Sequence, residues 1–257
     1  MIPAWGVILF VVLFGACIGS FLNVCIFRLP RGESLVWPGS RCTSCGRMLS
    51  WYDNLPVVSW VALGGRCRTC RAPVSWLYPS VEIITALTFL GAYLLYGLTP
   101  LGGVRLLFAC ALIVLFVTDL QHKILPNAIT LPGIVVGFIC SVFLPPGWRD
   151  SLIGILVGGG VLYAIAEVYY RVRGHEGLGM GDVKLLAMIG AFLGWKLVLL
   201  TLVLASFAGS LVGGALIASG RGDMKYALPF GTFLAVGALV AAAWGVPIVD
   251  WYFGFYQ

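Results

Sequence analysis

Long apolar runs alternate with short polar connections along this chain, and the pattern predicts a bundle of membrane-spanning helices. About 20 apolar residues cross a bilayer as a helix. The run at 183–194 is short, so it either extends through Trp195 and Lys196 or crosses a thin part of the bilayer. We therefore expect an all-α polytopic membrane protein with about eight transmembrane helices. The apolar runs lie at about residues 4–27, 79–97, 103–120, 128–144, 151–169, 183–194, 197–218 and 227–246.

Composition supports a membrane location. The chain has 257 residues, of which 60% are hydrophobic and 10% are charged, whereas about 25% of a typical soluble domain is charged. The net charge of +6 does not indicate nucleic-acid binding, because the basic residues are few and lie in short loops. The first charged residue is Arg28, so no basic region precedes the first apolar run. We therefore expect residues 1–27 to be retained as a transmembrane helix.

The basic residues also predict the orientation of the chain. With the N-terminus outside, thirteen of the 16 lysines and arginines lie in inner loops, and only Arg105, Arg149 and Lys196 lie outside. Cytosolic loops of membrane proteins carry an excess of Lys and Arg. Both termini are therefore predicted outside, and the one long polar segment, residues 28–78, is predicted in the cytosol.

The polar segment 28–78 contains a duplicated cysteine motif. The stretch Arg41-Cys42-Thr43-Ser44-Cys45 recurs as Arg66-Cys67-Arg68-Thr69-Cys70, and Ser50-Trp51 recurs as Ser75-Trp76 at the same offset of 25 residues. Two Cys-x-x-Cys pairs at this spacing are typical of a four-thiolate zinc site. The flanking arginines would lower the thiol pKa values and offset the negative charge of the thiolates.

Two disulfides, or free thiols, are the alternative for these four cysteines. The predicted cytosolic location argues against disulfides, because that compartment keeps thiols reduced. Four thiolates leave no open position on the metal, so the role of the zinc would be structural. A loop with so little apolar content needs such a metal to fold. We expect residues 28–78 to form a small cytosolic zinc-binding domain.

Two aspartates lie at the ends of apolar runs on the same predicted membrane face. Asp119 ends the run 103–120, and Asp182 follows Gly179-Met180-Gly181. An acidic side chain at a membrane boundary is unfavourable and suggests a functional site. Each has a simpler explanation when taken singly, because Asp182 could cap a helix beginning at Val183 and Asp119 could pair with Lys123.

Taken together, the two aspartates suggest acid–base chemistry. Two neighbouring carboxylates do not both ionise readily, so one holds a proton while the other does not. Such a pair can activate a water and protonate a leaving amine. Gly179 and Gly181 would let a substrate backbone approach. Lys184 either orients the pair or is an ordinary interfacial lysine whose stem covers apolar surface.

The stretch Gly179-Met180-Gly181-Asp182 resembles the GxGD motif of the membrane aspartic proteases, and most closely that of the bacterial type IV prepilin peptidase family. Other stretches resemble the same family in order, so the resemblance covers about residues 15–235. Thr232 departs from it, because many members have a proline there. The other matching stretches are residues 19–24 with 28–30, the double cysteine loop with 53–56 and 59–60, 78–79 with Glu82, Asp119 with 124–127, and 228–231 with 233–235.

The resemblance implies an enzyme of the inner membrane that removes the basic leader of type IV prepilins or pseudopilins after a glycine. It implies Asp119 and Asp182 as the catalytic residues, facing the cytoplasm, with Gly179 and Gly181 shaping the site. The substrate is itself a membrane helix, so it would be met within lipid. The region 79–257 would form a seven-helix protease domain after the first helix, 1–27, and the zinc domain, 28–78.

The resemblance also implies a second activity, methylation of the new N-terminal amine by S-adenosylmethionine. The chain has the N-terminal and cysteine-rich region found in members that methylate. It has no Gly-rich strand–turn–helix unit that would bind a nucleotide-like cofactor. Asn23, Glu33 and Glu82 are polar groups that could help bind the methyl donor, and interhelical hydrogen bonds or loop solvation are the alternative.

Two functions of other classes compete with the peptidase. A proton-coupled transporter could use Asp119 and Asp182 as coupling sites, but it would need a path to both membrane faces. A zinc-stabilised membrane scaffold without chemistry would explain the cysteines and not the aspartates.

Overall fold

A computed structural model describes residues 4–174, 179–219 and 228–254 of the chain. Within these residues the secondary structure is helical, and the only β-type pairs are two isolated bridges in the cysteine loop. The expected all-α architecture is confirmed. The helices are α1 (Ala4–Arg28), α2 (Val58–Ala62), α3 (Leu77–Tyr96), α4 (Pro100–His122), α5 (Asn127–Phe143), α6 (Trp148–Arg173), α7 (Met180–Ala218) and α8 (Phe230–Gly254).

Six helices of the described residues are long and apolar enough to cross a bilayer, namely α1, α3, α4, α6, α7 and α8. Helix α5 is apolar and shorter. Helix α7 consists of two helical segments that meet at a kink at Gly194, and they correspond to the predicted runs 183–194 and 197–218. Gly194 has φ 79° and ψ 174°, a backbone conformation that glycine adopts readily because it has no Cβ. The short predicted run is therefore the first segment of a kinked helix in a multi-pass membrane protein.

The chain forms two compact units, Met1–Val114 and Leu115–Gln257. In the first unit, α1 packs against α3. Gly19 permits this packing, because a Cβ at that position would lie 2.7 Å from the Cα atom of Glu82. Small residues let two membrane helices approach closely. The approach also satisfies the Asn23 amide, which donates to the Tyr78 carbonyl at 3.0 Å.

In the second unit, α7 packs against α5, α6 and α8. Residues 185–194 of α7 are all buried. A Cβ at Gly158 of α6 would lie 2.6 Å from the Leu186 carbonyl oxygen, and buried Ser151 of α6 donates to the Ala191 carbonyl at 2.8 Å. These contacts hold the first segment of α7 inside the unit, and Asp182 lies at the start of that segment.

Candidate active site

Asp119 is buried in the last turn of α4 and is bound by the first turn of α8. Its Oδ2 atom accepts two hydrogen bonds from Thr232, one from the backbone N–H at 2.6 Å and one from Oγ1 at 3.0 Å. The first N–H groups of a helix have no partner within their own helix, and α8 begins at Phe230. The Asp119 carboxylate therefore satisfies a donor at the start of α8. The same contact offsets the unfavourable effect of a helix C-terminus on a carboxylate.

A tight turn follows Asp119. Lys123 adopts a left-handed conformation with φ 53°, and its N–H donates to the Asp119 carbonyl at 2.8 Å, an arrangement that often ends a helix. A Cβ at Gly231 would lie 2.9 Å from Leu125 Cδ1 and 3.0 Å from Asp119 Oδ2. Helix α8 can therefore approach this turn and the carboxylate because residue 231 has no side chain.

Asp182 lies in the first turn of α7. The helix begins at Met180 with Gly179 at its N-cap, and the Asp182 N–H donates to the Gly179 carbonyl at 3.0 Å. The explanation of Asp182 as the cap of a helix beginning at Val183 is therefore wrong, because the helix starts earlier and Gly179 holds the cap position. A carboxylate in the first turn is favoured by the helix dipole. Asp182 is half-buried.

The structure brings Asp119 and Asp182 together. They are close enough that the charge of Asp119 acts on Asp182. Leu125 bridges the two sides of the site, because a Cβ at Gly181 would lie 3.1 Å from Leu125 Cβ and a Cβ at Gly231 would also meet Leu125. The C-terminal turn of α4 and the N-terminal turns of α7 and α8 thus meet around two carboxylates. This arrangement can hold one shared proton and activate a water.

Lys184 forms a hydrogen bond with Asn127. Its Nζ atom donates to Asn127 Oδ1 at 3.0 Å, and Asn127 is the first residue of α5. The bond ties the first turn of α7 to the segment that follows the Asp119 turn. Sequence reasoning did not identify Asn127 as a partner, and it treated Thr232 only as a departure from a family pattern. No local signal identifies either pairing, because the two partners of each hydrogen bond are distant in sequence.

A cavity of about 860 Å³ lies in the N-terminal unit. Asn23, Glu33 and Glu82, the three polar residues singled out in the sequence, all line it. Glu82 is buried, and its Oε2 atom accepts from the Val57 N–H at 2.7 Å. Arg28 also lines the cavity and donates to the carbonyl groups of residues 34, 38 and 39, which holds the start of the loop against α1. The cavity thus presents both carboxylates and guanidinium groups.

The four loop cysteines face one another. The Sγ atoms of Cys42, Cys45, Cys67 and Cys70 all lie within 4.8 Å of one another, and all four are free thiols. The Cys42 and Cys70 sulfurs are 3.8 Å apart, so they are not joined in a disulfide. A group of four converging thiols could hold a metal ion.

The cysteine loop consists of two copies of one knuckle. The backbone of Arg41 forms an antiparallel β-bridge with Met48 in the first copy, and that of Arg66 forms one with Pro73 in the second. The same hydrogen bonds recur at an offset of 25 residues, with Cys42 N–H donating to the residue 47 carbonyl and Cys67 N–H to the residue 72 carbonyl, both at 2.9 Å. The duplication predicted from the sequence is confirmed.

Backbone N–H groups stabilise the thiolate of the first cysteine in each knuckle. The N–H groups of Cys70 and Thr69 lower the pKa of the Cys67 thiol to about 6. Those of Cys45 and Ser44 lower the pKa of the Cys42 thiol. The sequence suggested the flanking arginines as the cause of lowered pKa values, but the structure identifies the peptide groups of the knuckle turn. These thiols are therefore suited to binding a metal as thiolates.

Comparison with known proteins matches both halves of the chain. Residues 13–96 match the family model of the bacterial peptidase A24 N-terminal domain, and residues 106–214 match that of the type IV leader peptidase family. No solved structure matches the chain.

Three curated relatives are each named prepilin leader peptidase/N-methyltransferase. The protein from Myxococcus xanthus is 43% identical over 85% of this chain and 65% of its own length, so the matched part is less than two thirds of that relative. The protein from Pseudomonas aeruginosa is 34% identical over 96% of this chain and 94% of its own length. The protein from Aeromonas salmonicida is 35% identical over 94% of this chain and 92% of its own length.

Proposed function

This chain belongs to the type IV leader peptidase family, and on that premise we propose that it is a membrane aspartic endopeptidase acting on type IV prepilins or pseudopilins. It removes their basic leader after a glycine. The observation that carries the proposal is the pair Asp119 and Asp182, which come from distant parts of the chain and interact at the meeting point of three helix ends.

The two aspartates would perform the hydrolysis as an acid–base pair. One carboxylate takes a proton from a water, whose oxygen bonds to the scissile carbonyl carbon, and the other carboxyl gives its proton to the carbonyl oxygen. When the intermediate collapses, the C–N bond breaks, its electron pair goes to nitrogen, and nitrogen takes the proton held by the first carboxyl. The hydroxyl proton on the former carbonyl oxygen returns to the second carboxylate.

Gly179 and Gly181 shape the entrance to the pair. A Cβ at Gly179 would lie 3.6 Å from Asp182 Oδ2, so a larger side chain there would extend beside the carboxylate. Gly181 lets the first turn of α7 lie against Leu125. The two glycines beside Asp182 therefore leave room for an extended substrate backbone to approach it. Lys184 supports the entrance through its hydrogen bond to Asn127.

The site would face the cytoplasm, with both termini outside. The distribution of Lys and Arg supports this orientation. A basic leader would remain on the cytoplasmic side while the apolar stem of the substrate lies in the bilayer, so the scissile bond would reach the membrane face where Asp119 and Asp182 lie. In this arrangement residues 1–27 are the first membrane helix, 28–78 are the cytosolic metal domain, and 79–257 carry the protease.

The second proposed activity is methylation of the amine that cleavage exposes. S-adenosylmethionine, which supplies the methyl group from a sulfonium, is a cation with an ammonium and a carboxylate group. The cavity of the N-terminal unit fits these charges, because Glu33 and Glu82, which can face the cationic groups, and Arg28 all line it. Asn23 would position the donor through its amide. The volume of this cavity, about 860 Å³, lies in the range of small-molecule binding sites.

The metal of the cysteine domain is proposed to be zinc. The converging thiols fit a tetrahedral four-thiolate ion, and a site of this kind is structural because no coordination position is left for a substrate. Cys42, Cys45, Cys67 and Cys70 would hold the two knuckles together and so shape the loop that lines the cavity.

The test is cleavage of a peptide with a basic leader, a glycine and an apolar stem by the purified full-length protein in detergent, read by mass spectrometry. Asp119→Asn and Asp182→Asn are expected to reduce the cleavage rate at least about 1,000-fold. Asp250→Asn is the matched control, because Asp250 is exposed near the other end of α8, and it should cleave like the wild type. Cleavage by both site variants would contradict the assignment, whereas a wild type that never cleaves would favour the transporter or scaffold.

A further inference from the structure

Thr232 is bound to one carboxylate of the pair in two ways. Its backbone N–H and its hydroxyl both donate to the same oxygen, Oδ2 of Asp119, and both residues are buried. A hydrogen bond to a carboxylate oxygen stabilises the negative form over the protonated form. A proline, the residue that the family resemblance leads one to expect at position 232, has neither an N–H nor a hydroxyl and could make neither bond.

The N-terminal end of α8 adds to this effect. Thr232 is the third residue of the helix, and the start of a helix carries a partial positive charge. The structure describes no comparable side-chain donor on Asp182, whose backbone N–H is directed at Gly179. The two carboxyls of the pair therefore lie in different environments, and the difference originates on α8.

We propose that Thr232 is a positioning residue that holds Asp119 as the ionised member of the pair, so that Asp119 is the base and Asp182 carries the proton. The inference rests on the proposed peptidase function and assigns its two roles. Asp119 then takes the proton from the attacking water as the O–C bond forms, and Asp182 protonates the carbonyl oxygen. On collapse, Asp119 returns its proton to the leaving nitrogen and Asp182 recovers its own proton.

Among the charged groups around Asp119, Lys123 also favours its ionised form, so the donors of Thr232 act in the same direction as this lysine. Lys123, in the turn after α4, and Asp182, on α7, are the charged groups that act on Asp119 or face it in the described residues. Lys184 of α7 is bound to Asn127. Helix α8 contributes Gly231 and Thr232 to the contact. The two hydrogen-bond donors of Thr232 are thus the uncharged groups that bind Asp119 and not Asp182 in the described residues.

The inference is tested by the pH dependence of kcat/KM for leader cleavage by the full-length protein. In Thr232→Val, which keeps the N–H and loses the hydroxyl, the acidic limb of the profile should move to higher pH by about one unit, because protonation of the base becomes easier. Thr232→Pro, which loses both donors, should move it further. Thr232→Ser retains both donors and should follow the wild type.

Thr201→Val is the matched control, because Thr201 is a buried threonine of α7 whose hydroxyl bonds to the Leu197 carbonyl of its own helix. It should leave the profile in place. A Thr232→Val profile that superimposes on that of the wild type, whatever its height, overturns the inference, and so does a shift of the acidic limb to lower pH. If Thr232→Pro does not fold, Thr232→Val decides. Failure of the peptidase assignment has a different signature, which is cleavage by Asp119→Asn or none by the wild type.

Discussion

Gly46 and Arg71 occupy equivalent positions in the two cysteine knuckles, and both have a left-handed backbone. Their φ angles are 71° and 59°, and the N–H of each donates to the carbonyl of the first cysteine of its own knuckle, at 2.9 and 3.0 Å. The knuckle turn therefore requires positive φ in both copies. Only the first copy has the residue that adopts this conformation without strain.

This equivalence predicts opposite responses to substitution in the two knuckles. Gly46→Ala should lower the stability of the domain by about 1 kcal/mol, because it places a Cβ in a left-handed turn. Arg71→Gly should not lower it, because glycine relieves the strain that arginine bears there. The stability of both variants is measured by following metal release from the full-length protein as denaturant is added. Equal losses of stability in the two variants would show that the φ angles are not the cause.

Removal of the metal should loosen the cysteine domain while the membrane helices persist. A strong zinc chelator should release the Sγ atoms that would bind the metal, and about four thiols per chain should become reactive to a thiol reagent. The far-ultraviolet circular dichroism should change little, because most helical residues lie outside this loop. Cys110→Ser, in α4, is the control and should leave the metal content unchanged. A protein that binds no zinc when reduced would contradict the metal assignment.

A side chain at Gly231 should disturb Asp119. The Cβ of Gly231→Ala would lie 3.0 Å from Asp119 Oδ2 and 2.9 Å from Leu125 Cδ1, so α8 must shift away from the carboxylate. We expect cleavage to fall at least about tenfold, since small displacements of a catalytic group are costly. Gly214→Ala, at a position of α7 where a Cβ meets nothing within 4 Å, is the control. Unchanged cleavage by Gly231→Ala would show that the contact does not matter for the reaction.

Loss of a carboxylate from the cavity should affect methylation more than cleavage. Glu33→Gln keeps the size of the side chain and removes a charge that would face the cationic methyl donor. The ratio of methylated to unmethylated cleaved product should fall at limiting methyl donor, as measured by mass spectrometry of the product. Glu167→Gln, on α6 outside the cavity and paired with Arg171 at 2.8 Å, should leave the ratio unchanged. A ratio that falls equally in both variants would argue against the cavity as the donor site.

Lys184 and Asn127 should act as a pair. Because the two side chains share one hydrogen bond of 3.0 Å, Lys184→Met and Asn127→Ala should each slow cleavage modestly, and the double variant should be little worse than either one. A coupling of about 0.5–1.5 kcal/mol in the double-mutant cycle is expected. The rate of leader cleavage measures it. Additive effects would show that the lysine acts separately, for example directly on the carboxylates.

Local patterns in the sequence were sufficient for the architecture. Apolar runs of helix length identified a multi-pass all-α membrane protein, because burial in lipid requires such runs wherever they occur in a chain. The cysteine pairs identified both copies of the knuckle, because their spacing repeats at short range. The two aspartates could also be recognised from a local pattern, because each is a charge at the end of an apolar run. The alternative explanation of Asp182 as the cap of a helix beginning at Val183 was wrong, because the helix begins at Met180 and helix starts are hard to place from sequence.

The partners of these residues were decided only by the tertiary structure. Thr232 binds Asp119 from 113 residues away, and Lys184 reaches Asn127 across 57 residues. The sequence by itself determined which residues could carry chemistry, because residue type and spacing are local properties. Which carboxylate receives the donors of α8 depends on how the helices pack, and that packing is set by contacts between distant segments.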